Sequence, residues 1–513
     1  MTQTSRRQWM WQAAAPALMG AQRKPNILWL IAENMGPDLG CYGHPLVRTP
    51  HLDRLAAEGM RFERVFSTAP VCSTSRSAFM TGMYQTAIGA HNHRSHRDDH
   101  FHLPRGVQPI THRLRAAGYY TANVQFMDGK PVGTGKTDLN FEVEGEEIWT
   151  KARSTANKPA HLRSNDSNLY RLFHSNEWAD LRQNQPFFAQ VNLPVVERGG
   201  TRGWVGSDRN PWNKQVHPRL VDPAKVTVPP YYPDVPSVRQ DWAGYLDAVC
   251  GVDARCGEIL RRLEEDDLLE DTVVIYFGDN GRLELRGLDW CYDSGDRVPM
   301  IVRWPKRFPA PRQYRAGRVV EDVVSLLDVT ATTLGIAGVP RPEGMHSRIF
   351  LGDKADAPRE YAFSARDRTD DAVNRIRAVR GRRYRYIRNL MPEKNFMAIH
   401  RYKDACYPVV ALMRELHREG KLTPVQQVLM AKRLPDEELY DLERDPYEIT
   451  NLAASTHSEH QRVKKQLRAA LDRWMAETND QGRIQEPREV VDFWTQESHE
   501  LHGTPEWHLK GER

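Results

Sequence analysis

Two short stretches of this chain close apolar runs with oxygen-bearing side chains, and a third opens on a cysteine. Ile27–Ile31 leads through Ala32 into Glu33-Asn34, and Val273–Phe277 leads through Gly278 into Asp279-Asn280-Gly281. Cys72 opens the run Cys72-Ser73-Thr74-Ser75-Arg76. Carboxylate and amide oxygens are the donors a hard divalent cation takes, and calcium tolerates a mixed set better than magnesium does. Each stretch also has a plainer reading. Asp-Asn-Gly makes a turn, Glu-Asn caps a loop end, and a lone cysteine is usually an inert buried thiol.

Three further stretches carry charge. Gly135-Lys136-Thr137-Asp138 looks at first like a phosphate-binding loop. That loop needs a glycine at the position of Lys130, and Gly129 comes one residue too early, so an ATPase is excluded. The run His91-Asn92-His93-Arg94-Ser95-His96 is dense in imidazole but has no pair spaced four apart, and it reads as a substrate-side loop. Arg366-Asp367-Arg368 can meet a sugar carboxylate or sulfate, or close a salt-bridged surface turn.

Taken with its neighbours, the Cys72 run resembles the Cys-X-Pro-Ser-Arg signature of type I, formylglycine-dependent sulfatases of the alkaline phosphatase superfamily. Thr74 stands where that family has proline. Upstream, Thr49-Pro50-His51-Leu52-Asp53-Arg54-Leu55 resembles the family's Thr-Pro-Asn-Leu-Asp-x-Leu. Downstream, Ser77–Tyr84 resembles its Ser-Leu-Leu-Thr-Gly stretch, and Glu438-Leu439-Tyr440-Asp441-Leu442 with Asp445-Pro446 is similar to its C-terminal motif. The resemblance spans roughly residues 25–455. The C-terminal half, with Tyr386–Asn389 and Gly420–Pro424, is more loosely like bacterial heparan N-sulfatase-type relatives.

The resemblance implies a reaction and a site. Cys72 would be oxidised by a formylglycine-generating enzyme, and the hydrated aldehyde would attack sulfur, release an alcohol and then expel sulfate. One divalent cation, Ca2+ in most of the family, would neutralise the sulfate oxygens. Carried over position by position, the catalytic residues are Cys72, Arg76 and Lys136. The metal ligands are Glu33, Asn34, Cys72, Asp279 and Asn280, with Glu33-Asn34 where the family has Asp-Asp. His91, His93, Glu197 and Arg368 are the expected substrate contacts.

Other positions depart from the family. Asp138 replaces a histidine, Asn192–Arg198 lacks the histidine that protonates the leaving group, and Leu288 stands for a lysine before Tyr292-Asp293-Ser294-Gly295. Arg198, Arg282 and Arg286 are the nearest stand-in charges. The expected activity is hydrolysis of sulfate esters or sulfamates of a glycosaminoglycan-like carbohydrate. Two alternatives stand beside it: a degenerate sulfatase that binds sulfated glycan without turnover, and a phosphodiester or phosphonate hydrolase on the same scaffold.

These side chains need a frame. Strand-like runs at 27–31, 120–124, 187–191, 273–277 and 300–303 alternate with helical patterns at 51–59, 75–83, 238–264 and 324–335. Such alternation predicts an α/β fold with a large, mainly parallel mixed sheet flanked by helices. A strand-like stretch at 378–388 then opens a smaller C-terminal α+β subdomain. The expected division is a signal segment at 1–22, the catalytic α/β domain at 23–370, the subdomain at 371–480 and a polar tail at 481–513.

At 513 residues, 40% hydrophobic and 27% charged, the composition is that of an ordinary globular chain. Its 72 basic and 67 acidic residues leave +5, a mild excess that fits an anionic substrate and does not point to nucleic acid. Arg6-Arg7 before a short apolar stretch is a twin-arginine export pattern, predicting a periplasmic or extracellular protein. No later run reaches the ~20 apolar residues of a membrane span. The six cysteines are too sparse for a disulfide scaffold.

Overall fold

Every residue of the strand Asn26–Ala32 (β1) is buried, and its two faces feed two different cores. Leu28, Leu30 and Ala32 pack into one apolar cluster, while Ile27, Trp29 and Ile31 pack into another. A strand covered on both faces has no need of polar alternation, which is why the sequence there is a continuous apolar run. The computed structural model describes residues 23–95, 101–148, 168–198, 201–204 and 220–509. The segment at 1–22, expected to direct export, and His96 lie outside the described residues.

The large sheet takes eight further strands in chain order: β2 (Met60–Phe66), β3 (Tyr120–Met127), β4 (Lys130–Pro131), β5 (Ser175–Glu177), β6 (Phe187–Leu193), β7 (Thr272–Gly278), β8 (Arg297–Arg303) and β9 (Val319–Ser325). Their spatial order is β4-β3-β6-β1-β7-β8-β2-β9, with β5 also paired to β3. β6, β1 and β7 lie side by side and parallel, with Ala32 level with Leu193 and Gly278. Their carboxyl ends therefore open on one edge, where open α/β sheets place their sites. β8 runs antiparallel to both its neighbours, so the sheet is mixed.

Local structure departs from the sequence expectation in four places. The helix predicted at 75–83 begins at Cys72 and runs to Thr81. The helical pattern at 324–335 contains the end of β9, and its helix is Asp328–Ile336. The stretch at 378–388 is a hairpin of β11 (Ile376–Arg380) and β12 (Tyr384–Asn389), which belongs to an antiparallel four-stranded sheet with β10 (Ala362–Arg366) and β13 (Glu437–Asp441). That sheet begins upstream of residue 371. Finally, the segment read as a polar tail carries the helix Arg488–His502, which buries Trp494 and Ser498. Among the described residues no helix is long and apolar enough to cross a membrane.

Candidate active site

The three parallel strand ends carry the polar side chains out of the core together. Glu33 N–H donates to Leu193 O at 3.2 Å, and Asp279 N–H to Ala32 O at 3.0 Å, so the ladder continues one residue past each strand. Asn34 then turns with φ of 53°, and its N–H donates to Asp279 Oδ1 at 3.0 Å. Asparagine tolerates that left-handed backbone better than most residues. Asn280 Nδ2 donates to Asn34 Oδ1 at 2.9 Å, which joins the two turns.

The Cys72 helix lies over this edge with all ten residues buried. Ser75 Oγ donates to Asp279 O at 2.5 Å. Arg76 reaches all three strand ends: Nε to Asp279 Oδ2 at 3.0 Å, Nη1 to Asn192 Oδ1 at 2.7 Å, and Nη2 to Glu33 Oε1 at 3.1 Å. One guanidinium thus holds β7, β6 and β1 against the helix. Cys72 Sγ sits 3.8 Å from Asn34 Oδ1 at the helix N-terminus, where unpaired N–H groups favour an anion. Thr74, in the first turn, donates its hydroxyl to Val71 O at 3.0 Å. Proline is also accepted in a first turn, so the exchange at this position leaves the helix intact.

Lys136 arrives on a loop pressed against β6. Thr134 N–H donates to Asn192 O at 2.9 Å, and a Cβ on Gly133 would lie 2.8 Å from the same carbonyl. Lys136 Nζ is 3.2 Å from Glu33 Oε2, 3.7 Å from Glu197 and 3.8 Å from Asp138. Arg94 Nε lies 3.8 Å from Asp138, so Asp138 sits between two cations.

Burial governs the acid–base state here. It raises Glu33 to about 7, opposed by Lys136 and Arg76 and reinforced by Glu197. It raises Asp279 against the pull of Arg76. It also lifts the Cys72 thiol far above its ordinary range, with Asp279, Asp138 and Glu33 adding to it against Lys136. A thiol so held stays protonated at neutral pH and is a poor nucleophile.

The donor set for a cation is two carboxylates and two amides. Among the described residues no group of three His, Cys, Asp or Glu forms a metal cluster. Asn280 Oδ1, however, is buried without a hydrogen-bond partner, and Glu33 and Asp279 are fully buried beside it in the fold. Buried oxygens of this kind fit a hard oxygen-seeking cation rather than a thiophilic one.

A cavity of about 260 Å³ opens over Cys72 and Asn34, walled by Arg94, Glu197, Asp370, His400, Tyr402 and Trp494 among others. His93 lines it, with Nδ1 2.6 Å from Ser73 Oγ. Two expected substrate contacts are not brought to it. His91 faces the charges of Asp367, Arg377, Asp480 and Glu486. Arg368 is committed to Glu486 at 2.5 and 2.9 Å and lies under Trp494, 5.4 Å from its ring. The stand-in arginines are also engaged elsewhere: Arg198 with Asp241 and Cys406 O, Arg282 with Asp38, and Arg286 with the carbonyls of Tyr447 and Glu448.

Leu288 does line the cavity, and behind it Lys403 Nζ donates to Leu288 O at 2.5 Å and lies 3.1 Å from Asp289. Asp370, His400, Tyr402 and the Trp494 helix escaped the sequence reading. They come from distant loops and helices with no motif to mark them.

The profile of the family described as Sulfatase matches residues 25–339, and that of the N-sulphoglucosamine sulphohydrolase C-terminal region matches residues 287–434. An ulvan-active sulfatase of Formosa agariphila is 31% identical, covering 92% of this chain and 78% of that protein. Human N-sulphoglucosamine sulphohydrolase is 28% identical over 89% of this chain and 91% of its own length. A protein solved in complex with its substrate D-glucosamine-2-N,6-O-disulfate superposes with a TM-score of 0.57 at 17% identity, covering 90% of this chain and 100% of that one. At that identity the likeness is one of fold.

Proposed function

We propose, for a chain that belongs to the sulfatase family, the hydrolysis of a sulfate ester or sulfamate carried by a carbohydrate. Membership makes it an enzyme of the sulfuric ester hydrolase class. The observation that carries the finer reading is the reach of Arg76 from the Cys72 helix to Glu33, Asn192 and Asp279. It gathers a modifiable cysteine and a set of oxygen donors at one helix N-terminus.

In this reading Cys72 is matured by a formylglycine-generating enzyme, and the hydrated aldehyde supplies the nucleophilic oxygen that a protonated, buried thiol does not. Glu33, Asn34, Asp279 and Asn280 would hold one divalent cation, with position 72 beside them. The cation, calcium by family likeness, would supply positive charge against the sulfate oxygens. Arg94 adds charge from the cavity wall and Lys136 from beside Glu33, where low dielectric makes each count for more than in water. Arg76 opposes the burial that raises Glu33 and Asp279, and it aims both carboxylates.

The named activities of the relatives, on ulvan and on N-sulphoglucosamine, support a sulfated carbohydrate substrate. The cavity agrees in character: Tyr402 and Trp494 offer ring surface, and Glu197, Asp370 and Glu497 offer acceptors for sugar hydroxyls. The Arg6-Arg7 pattern supports export.

The test compares the wild type with Cys72→Ala, both made in a host carrying the maturation enzyme, on aryl sulfates, phosphate diesters and phosphonates. Sulfate release by the wild type alone is expected. Preference for the phosphorus esters, or activity surviving in the variant, would overturn the reading.

A further inference from the structure

Breaking a sulfate ester leaves an electron pair on an alcohol oxygen, and an alcohol of ordinary basicity leaves readily only when a positioned acid protonates it. The cavity wall holds few acids of suitable strength. Burial keeps Tyr402 far too weak an acid. Arg94 is a guanidinium and gives up no proton. Beside the wall, Lys136 is held well above its ordinary value: burial lowers it, but the carboxylates of Glu197, Glu33 and Asp138 outweigh that. Burial holds His502 below its ordinary value and hence neutral. His93 turns its Nδ1 to the Ser73 hydroxyl at 2.6 Å and not to a carboxylate.

His400 differs from all of these. It stands just before the helix Arg401–Cys406, 5% exposed, and lines the cavity with Cys72 and Leu288. Its Nδ1 lies 3.1 Å from Asp289 Oδ2. The Asp289 turn is itself tied to the chain entering the Cys72 helix, its N–H donating to Pro70 O at 2.9 Å. The other nitrogen, Nε2, is buried, 3.6 Å from Asp370 Oδ2, and makes no hydrogen bond. A ligand oxygen that reaches this nitrogen displaces no hydrogen bond, only the longer contact with Asp370. Burial would strip the imidazolium of its proton, but Asp289, helped by Asp370 and Asp371, outweighs it and holds the ring at about 9. Also facing it are Lys403, which shares Asp289, Asp404, whose carboxylate accepts from the His400 N–H, His502, and Tyr402, its ring centre 6.2 Å away.

Resting on the sulfatase reading above, we propose that His400 protonates the leaving alcohol oxygen through Nε2, with Asp289 as the residue that orients it. As the sulfur–oxygen bond to the alcohol breaks, its electron pair stays on the leaving oxygen and sulfur passes to the attacking oxygen. The Nε2 proton moves to the leaving oxygen, giving a neutral alcohol and a neutral imidazole, which regains a proton from water. The acid thus comes from a loop more than 200 residues beyond β6 in the chain, and the absence of histidine from Asn192–Arg198 leaves no gap in the chemistry.

The experiment uses the matured full chain and a series of aryl sulfates running from 4-nitrophenyl to phenyl sulfate. His400→Gln should lose about 10²-fold or more in kcat on phenyl sulfate, the poorer leaving group, and far less on 4-nitrophenyl sulfate. The alkaline limb of the wild-type pH profile should disappear with it. Asp289→Asn should keep the limb but move it to lower pH. Equal loss across the series, or no loss, overturns the proposal. If His400→Gln does not fold, the Asp289→Asn limb decides: an unmoved limb also overturns it. Failure of the broader reading shows differently, as a wild type that carries the aldehyde and cleaves no ester in the series, and the donor role then falls with it.

Discussion

Arg76 is the residue on which the order of the site depends. Both carboxylates it bonds are buried, and removing one partner of a buried ion pair leaves the other charge uncompensated. Arg76→Ala should therefore cost on the order of 3–5 kcal/mol in denaturant unfolding, as well as activity. Arg76→Lys should recover only part of this, because an ammonium cannot reach Asp279, Asn192 and Glu33 in one plane. Thr74→Pro should change stability by less than about 1 kcal/mol, since a first-turn residue donates no ladder bond; a larger loss by the same measurement would contradict the placement.

His400 carries a pH prediction. Its folded value of about 9 lies above the ordinary 6.5, so its contribution to stability is complete below about pH 6.5 and is lost as pH rises through 9. Glu448, raised by burial to about 8, loses its own contribution over part of that range in any variant. The difference between wild type and His400→Gln in thermal melts should thus shrink by about 1–3 kcal/mol between pH 6.5 and 9.5. A constant difference would show that His400 is not held charged.

At the scale of elements, the helix Arg488–His502 is the part of the site drawn from farthest along the chain. It contributes Trp494, Glu497, Ser498, Leu501 and His502 to the cavity, and the Arg368–Glu486 pair fastens its approach. Arg368→Ala should raise hydrogen exchange through residues 486–502 while leaving β1 and β7 protected. It should also raise KM for glycan sulfates more than it lowers kcat. Uniform protection in the variant would mean that the helix is held by other contacts.

The elements also show what a reader of the sequence can and cannot find. Glu33, Asp279 and the Cys72 helix were legible because buried parallel strands leave continuous apolar runs, and polar residues at their carboxyl ends stand out against them. The end of β9 reads as part of a helical pattern because Val323-Val324 and the turn residues Leu326-Leu327 make one apolar run into the helix. His400, Asp370 and Trp494 were illegible for a different reason. Each acquires its meaning from tertiary contact, as His400 does with Asp289, and a lone histidine before a short helix carries no local signal.

At the scale of the whole molecule, the large sheet supplies the oxygen donors and the C-terminal half supplies the opposite wall of the cavity. A bound cation would join charges that otherwise repel. Chelation should therefore lower the melting temperature as well as activity, and calcium returned at 100 times its Kd should restore about 2.7 kcal/mol. The central claim is narrower: Cys72 is the precursor of the nucleophile despite Thr74. The most direct measurement is mass spectrometry of the tryptic peptide Val65–Arg76 from protein made beside the formylglycine-generating enzyme, paired with sulfate release by the same preparation. The account predicts an aldehyde at position 72, with activity that rises in proportion to the converted fraction. An intact thiol in a preparation that releases sulfate at full rate would contradict it.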